Sequence, residues 1–285
     1  MKNLNNSLSS KALLVNVNIS QWAARKKDQN ATETVKKEYN TDETAGGYTK
    51  KLLPGASELD VIATVTAKIR KYFHTQTLPW MIDGSRIISA KNHLKFSTEF
   101  RKMRVEFDQA VSSFIAAYPS LQARAVTSLG TLYNAAEYPD VSEIAEKFKC
   151  EIAYLPLPDA KDFRIDISES EKKEFQEKMK QVENEAIKSV WERLYNVVKN
   201  ASEKLNSPDA IFRDSLLENV TEICALLPVL NITDDQKLDG MKVELETLVK
   251  GLGSADSIRS DKGKRQKAAK ALKDVTEKMS IFAGI

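Results

Sequence analysis

Histidine and cysteine are nearly absent: the 285 residues include two of each. Cys150 and Cys224 lie far apart in apolar surroundings ("KFKCEIAY", "TEICALLP"), so neither a disulfide framework nor a paired-ligand motif is available, and a reducing cytoplasm is expected. His74 ("KYFHTQ") and His93 ("AKNHLK") have no second His or Cys at ligand spacing, and a zinc site needs three or four ligands. No metal or cofactor is expected.

Glycine is scarce as well, at 10 positions. "GLGSADS" (251–257) has the glycines of a phosphate-cradling loop but no Lys and no strand before it, and reads as a helix C-cap followed by a loop. No Gly-x-Ser-x-Gly elbow is present, and carboxylates are so frequent that "DFRID" or "TDDQ" singles out no acid–base pair. The expectation is therefore no enzyme and no catalytic residue. An enzyme would need His74, His93, Asp83 or Arg86 to converge in a pocket.

Long apolar runs are missing. No window approaches the roughly 18 apolar residues of a membrane span. The N-terminal "ALLVNVNI" is interrupted by Asn16 and Asn18 and precedes no cleavage site. Nor does one charge sign prevail: 43 Lys plus Arg against 40 Asp plus Glu give +3, a weak signal for a phosphate-binding face.

What is present is helical periodicity with a little strand. "ALLVNVNI" (12–19) alternates as a half-buried strand. Leu59, Ile62, Val65, Ile69 and Phe73 form a helical face that Pro79 terminates. "MIDGSRIIS" is a tight turn leading into a short strand, with Ser89 as an alternative helix cap. One long helix runs from about Leu94 to Pro119 and a second from Leu121 to Tyr133, and "YPDVSEIAEKF" opens a short one. "CEIAYLPLP" (150–158) and "DFRIDIS" (162–168) alternate, and with 12–19 predict a small antiparallel sheet.

Beyond Ser168, which forms a capping-box pattern with Glu171, some 38 residues run without Pro or Gly. Their apolar stripe approaches coiled-coil spacing. Three further helices are expected over 209–230, 233–252 and 260–282. The predicted class is mainly α with a small antiparallel β element (α+β), divided into a mixed α/β domain, 1–168, and a helical domain, 169–285.

Two surfaces follow from the patterning. The stripe that includes Val190, Leu194 and Val197 suits burial against a second copy or another protein, with interspersed charges fixing register. Near the C-terminus Arg259, Lys262, Lys264, Arg265, Lys267, Lys270 and Lys273 are opposed only by Asp261, while Ala268, Ala271, Leu272 and Val275 form an apolar face. That is the pattern of a solvated amphipathic helix. The sharper alternatives are a nucleic-acid contact through Lys262, Lys264, Arg265, Lys267 and Lys270, or an acidic protein partner.

"LLVNVNISQWAARKKD", "LPWMIDGSRIIS" and "LGTLYNAAEYPDVSEIAEKFKCEIAYLPLPDAKDFRID", followed by a long charged helix, resemble a family of phage and bacterial proteins catalogued as domain of unknown function 3150. The most specific correspondences are Trp22 with Arg25 and Lys26, Trp80 and Gly84 with Arg86, and Tyr138-Pro139 followed by Phe148 and Pro156. The resemblance covers most of the chain. It brings no catalytic residues, and implies a phage-associated, non-enzymatic protein with a MoxR-type ATPase or assembly partner; the expected location is cytoplasmic, in the bacterial host for a phage protein or in the bacterium's own cytoplasm. The leading expectation is an interaction or assembly protein; the alternative is nucleic-acid binding.

Overall fold

A computed structural model describes residues 8–82, 84–158, 168–207 and 210–283. In chain order the elements are α1 (Leu8–Lys11), β1 (Ala12–Ser20), β2 (Arg25–Lys27), α2 (Gln29–Tyr39), β3 (Thr49–Lys51), α3 (Ser57–Gln76), β4 (Leu78–Pro79), β5 (Ser85–Ser89), α4 (His93–Leu129), α5 (Val141–Ala145) and β6 (Lys149–Pro156). They are followed by α6 (Glu169–Asn206), α7 (Ser215–Leu230), α8 (Gln236–Leu252), α9 (Ala255–Ser260) and α10 (Lys262–Ala283). The chain is thus mainly helical, with a four-stranded sheet in the order β4-β5-β1-β6 and a separate β2-β3 ribbon. In β1, Ala12 pairs antiparallel with Ser89 and Asn16 with Ser85, and Leu14 and Val15, which point to opposite faces, are both buried, where the alternation over 12–19 predicts one buried face.

Two expectations change. The helices predicted on either side of Pro119 are one 37-residue helix, α4. Proline removes one backbone donor and clashes with the preceding turn. Here Phe114 and Tyr118 before it, and Leu121 and Ala125 after it, are all buried, so packing on both sides of the proline supports a continuous helix. The β2-β3 ribbon was not foreseen, because "ARKKDQ" carries no apolar alternation. The strand expected over 162–168 lies, Ser168 apart, outside the described residues, as does Asp83 of the Asp-Gly turn. Gly84 of that turn has φ +84°, a backbone that suits glycine.

The chain forms two compact units, and each is discontinuous in sequence. One holds the described residues up to Asn16, His74–Phe96 and those from Ala153 onward; the other holds Val17–Phe73 and Ser97–Ile152. The expected boundary at residue 168 is therefore not where contacts divide: α6–α10 share a core with Ala12, Leu14, Leu78 and Ile87. Strands β4 and β5 bring those last two against α6 and α7.

In the second unit, Trp22, Phe114, Tyr118 and Phe148 form a ring cluster with centroids 5.4–6.4 Å apart. The Tyr118 hydroxyl donates to the Pro139 carbonyl at 3.0 Å and that of Tyr138 to the Leu52 carbonyl at 2.6 Å. Burial first of all pushes both phenols up to about 12.

Candidate functional site

The two sequence-predicted surfaces meet along one line, because α10 packs on α6. Ser168 and Glu171 close the expected capping box at the start of α6, and the helix then runs 38 residues, roughly 55 Å at 1.5 Å per residue. Its apolar stripe is consumed inside the unit. Val190 is 1% exposed, Leu194 0% and Val198 0%, while Val197 is partly buried against the same core. The partner of that stripe is the chain's own Ala268, Leu272, Val275 and Met279 on α10, together with α7. Val190 and Leu194 are thus core residues, and Val197 lies partly buried at the edge of the same core, so this part of the stripe faces the chain's own helices. Heptad-like spacing fixes which face is apolar; it does not say whether the complementary face comes from another chain.

Asp261 starts α10 by accepting from the Lys264 N–H at 3.0 Å. That contact comes first, ahead of the Lys264 and Lys267 charges, in holding the carboxyl below its usual range. With Ala268, Ala269, Leu272, Val275 and Met279 buried, Lys262, Lys264, Lys267 and Lys270 are exposed. None of these four has an ion pair among the described residues.

Arg265 is different. Its guanidinium turns back onto the end of α6 and donates to the carbonyls of Leu205 (2.9 Å), Lys204 (3.2 Å), Ala210 (2.8 Å) and Ser207, lying 5.3 Å over the Phe212 ring. It satisfies carbonyls that the last turn of a helix leaves open. Of the five predicted nucleic-acid contacts, Arg265 is therefore committed to the fold.

Beside these lysines lies a cleft of about 470 Å³ between α6 and α10, lined among others by Tyr195, Lys199, Glu203, Gln266, Lys270 and Lys273. Lys199 approaches Glu203 at 4.0 Å and Lys273 approaches Glu277 at 3.8 Å, so the rim balances most of its own charge and Lys270 is its uncompensated cation. Exposed pairs of this length contribute about 0–1 kcal/mol and give way readily to a better partner.

Of the groups that an enzyme would need, Asp83 lies outside the described residues and the other three separate into two places. Arg86 reaches Thr77, with Nε 2.6 Å from Oγ1 and Nη2 3.1 Å from the carbonyl; Arg193 reaches the same carbonyl at 2.9 Å and that of Thr75 at 3.3 Å. Two cations thus converge on the C-terminal end of α3, where the helix dipole favours positive charge. Burial and then the Arg193 charge push Arg86 down to about 10; burial, followed by both arginines, also lowers His74. His93 stands apart, stacked edge-on to Tyr154 at 4.5 Å.

Sequence reasoning named His74 and Arg86 but missed Arg193, one cation among many on α6. The arrangement anchors a helix end. Among the described residues no cluster of three or more His, Cys, Asp or Glu is placed to hold a metal. Cys150 and Cys224 are buried, and burial pushes both thiols up to about 11.

No family model, no curated protein and no solved structure matches the chain. No described helix is long and apolar enough to cross a membrane.

Proposed function

We propose that the chain is a non-enzymatic binding protein whose helical unit meets a polyanion, nucleic acid first among them, through the exposed lysines of α10. The supporting observation is their placement. Lys262, Lys264, Lys267 and Lys270 are held in solvent by a helix whose opposite face is fully buried, and no carboxylate among the described residues pairs with them. Four cations fixed on a rigid element can neutralise about four phosphates. On duplex DNA this corresponds to a slope of roughly −3 to −4 in log K against log salt.

Size-exclusion chromatography with light scattering tests this, run with short single- and double-stranded DNA at about 50 mM and 300 mM salt. The expected result is a complex at low salt that is lost at high salt. Neutralising Lys262, Lys264, Lys267 and Lys270 together, with Arg265 left intact, weakens it. Indifference to DNA at low salt contradicts the proposal.

A second reading, assembly with a protein, is favoured by a cleft of about 570 Å³ where Glu218 and Glu222 stand beside Asp214 and Asp256. Arg259 already pairs with both aspartates, leaving the two glutamates to receive a basic segment. The family resemblance supplies a phage setting and a MoxR-type ATPase as the partner to try. A defined oligomer or an ATPase complex that ignores DNA selects this reading.

A further inference from the structure

The β2-β3 ribbon sets like charges opposite one another. Arg25 pairs directly with Lys51, Lys26 with Lys50 and Lys27 with Thr49. Directly opposed residues share a face, and like charges in that position destabilise a ribbon. Arg25, Lys26, Lys27 and Lys51 are all exposed, and none has an ion pair among the described residues.

Lys50 shows what a satisfied cation looks like in the same ribbon. Its Nζ lies 2.8 Å from Asp28, 2.6 Å from the Leu132 carbonyl and 2.8 Å from Glu137, this last an ion pair without hydrogen-bond geometry. Its side chain is 2% exposed. Burial opposes its charge, but the two carboxylates outweigh burial and hold Lys50 above its ordinary range. This buried anchor, with backbone bonds from Leu52 to Ala24 (2.7 Å) and Asp28 to Tyr48 (3.0 Å), locks the ribbon while its other cations remain outside. Repulsion among them is built in.

Aromatic surface adjoins these cations. Tyr39 is 73% exposed and Tyr48 41%, and both line a cleft of about 280 Å³ together with Val35, Lys36 and Gly47. A Cβ added at Gly47 would lie 3.0 Å from Lys27 Cε, so the Lys27 stem lies against Gly47, one of the residues that line the cleft. Tyr48 leads straight into β3. Exposed rings among fixed cations are what unpaired bases and their backbone require: rings stack on base faces and cations track phosphates. Duplex DNA has no free base face to offer, and the Asp and Glu side chains of an acidic peptide have no ring to stack.

We propose that the β2-β3 ribbon and the Tyr39–Tyr48 cleft form a binding site for single-stranded nucleic acid. Arg25, Lys27 and Lys51 contact phosphates and the tyrosines stack on bases. This site rests on the polyanion reading but uses none of the α10 lysines.

The test is fluorescence anisotropy of the full chain with a labelled 12-nucleotide oligothymidine over a salt series. Competitors are an unlabelled 12-base-pair duplex and a glutamate peptide of equal charge. Replacing Arg25, Lys27 and Lys51 by Ala is expected to flatten the salt slope by about 2. Each of Tyr39→Ala and Tyr48→Ala is expected to weaken binding about tenfold, whereas the Phe variants retain most of it. All five positions are exposed, and an unchanged melting temperature checks the fold. Ribbon variants that bind as wild type overturn the site. If the four-lysine α10 variant still loses affinity, the broader reading survives; if it does not, both fail. Equal competition by the peptide overturns the nucleic-acid assignment in favour of an acidic protein, and equal competition by the duplex overturns the stacking role.

Discussion

Leu194→Ala separates a core stripe from an assembly seam. Leu194 is 0% exposed on α6, flanked by Val190 at 1% and Val198 at 0%. Truncation removes three carbons, each contributing about 0.8 kcal/mol when buried. The transfer loss alone is therefore near 2.5 kcal/mol. Helix–helix packing on both sides limits collapse of the void, and the cavity raises the expected loss to about 3–4 kcal/mol. Urea unfolding followed by tryptophan fluorescence measures it. Trp191 reports from the same core, with its ring 5.1 Å from that of Phe282. Because the chain has two compact units, the transition that carries the Trp191 signal is the one to fit. Its midpoint must fall by the same amount at low and high protein concentration, since the packing is within one chain. A loss below about 1 kcal/mol, or a midpoint that depends on concentration in wild type but not in the variant, refutes the internal packing and restores the stripe as an interface.

Arg265→Ala should lower the stability of the helical unit by about 2 kcal/mol, the scale for hydrogen bonds to a charged donor that is partly exposed. Arg265→Lys should recover little of this, because an ammonium cannot span the several carbonyls that the guanidinium fork reaches; chemical denaturation measures both. Cys150 and Cys224 should resist a thiol reagent at pH 8 until the chain unfolds, because burial keeps both as neutral thiols. As their folded pKa lies above the unfolded one, the folded state binds more protons between about pH 9 and 11, so stability falls as pH rises through that window. Fast labelling of the folded protein contradicts this. Pro119→Ala should stabilise the unit containing α4 by about 1 kcal/mol or more through the restored backbone bond, and an unchanged or lowered melting temperature counts against it.

Periodicity carried most of the helices. The stripe of α6, its capping box and the apolar face of α10 were legible because helical spacing and cap chemistry are local. Where the outcome depended on contacts distant in sequence, it was not. Pro119 read as a break because the packing that overrides it comes from residues such as Trp22, far away in the chain. Val190 and Leu194 read as an interface because spacing does not name the partner helix. Arg265 looked like every other cation in its run until the end of α6 was placed beneath it. The ribbon escaped notice for the opposite reason: three-residue strands of charged residues have no apolar alternation, and only pairing reveals that Arg25 faces Lys51.

Fixed cationic surfaces that meet a polyanion are tested most directly by the affinity of the unmodified protein for a short labelled oligonucleotide across salt concentration. The expected result is measurable binding at about 50 mM salt and a log–log slope of about −3 or steeper. No binding at that salt, or binding with a slope near zero, contradicts a polyanion-binding role.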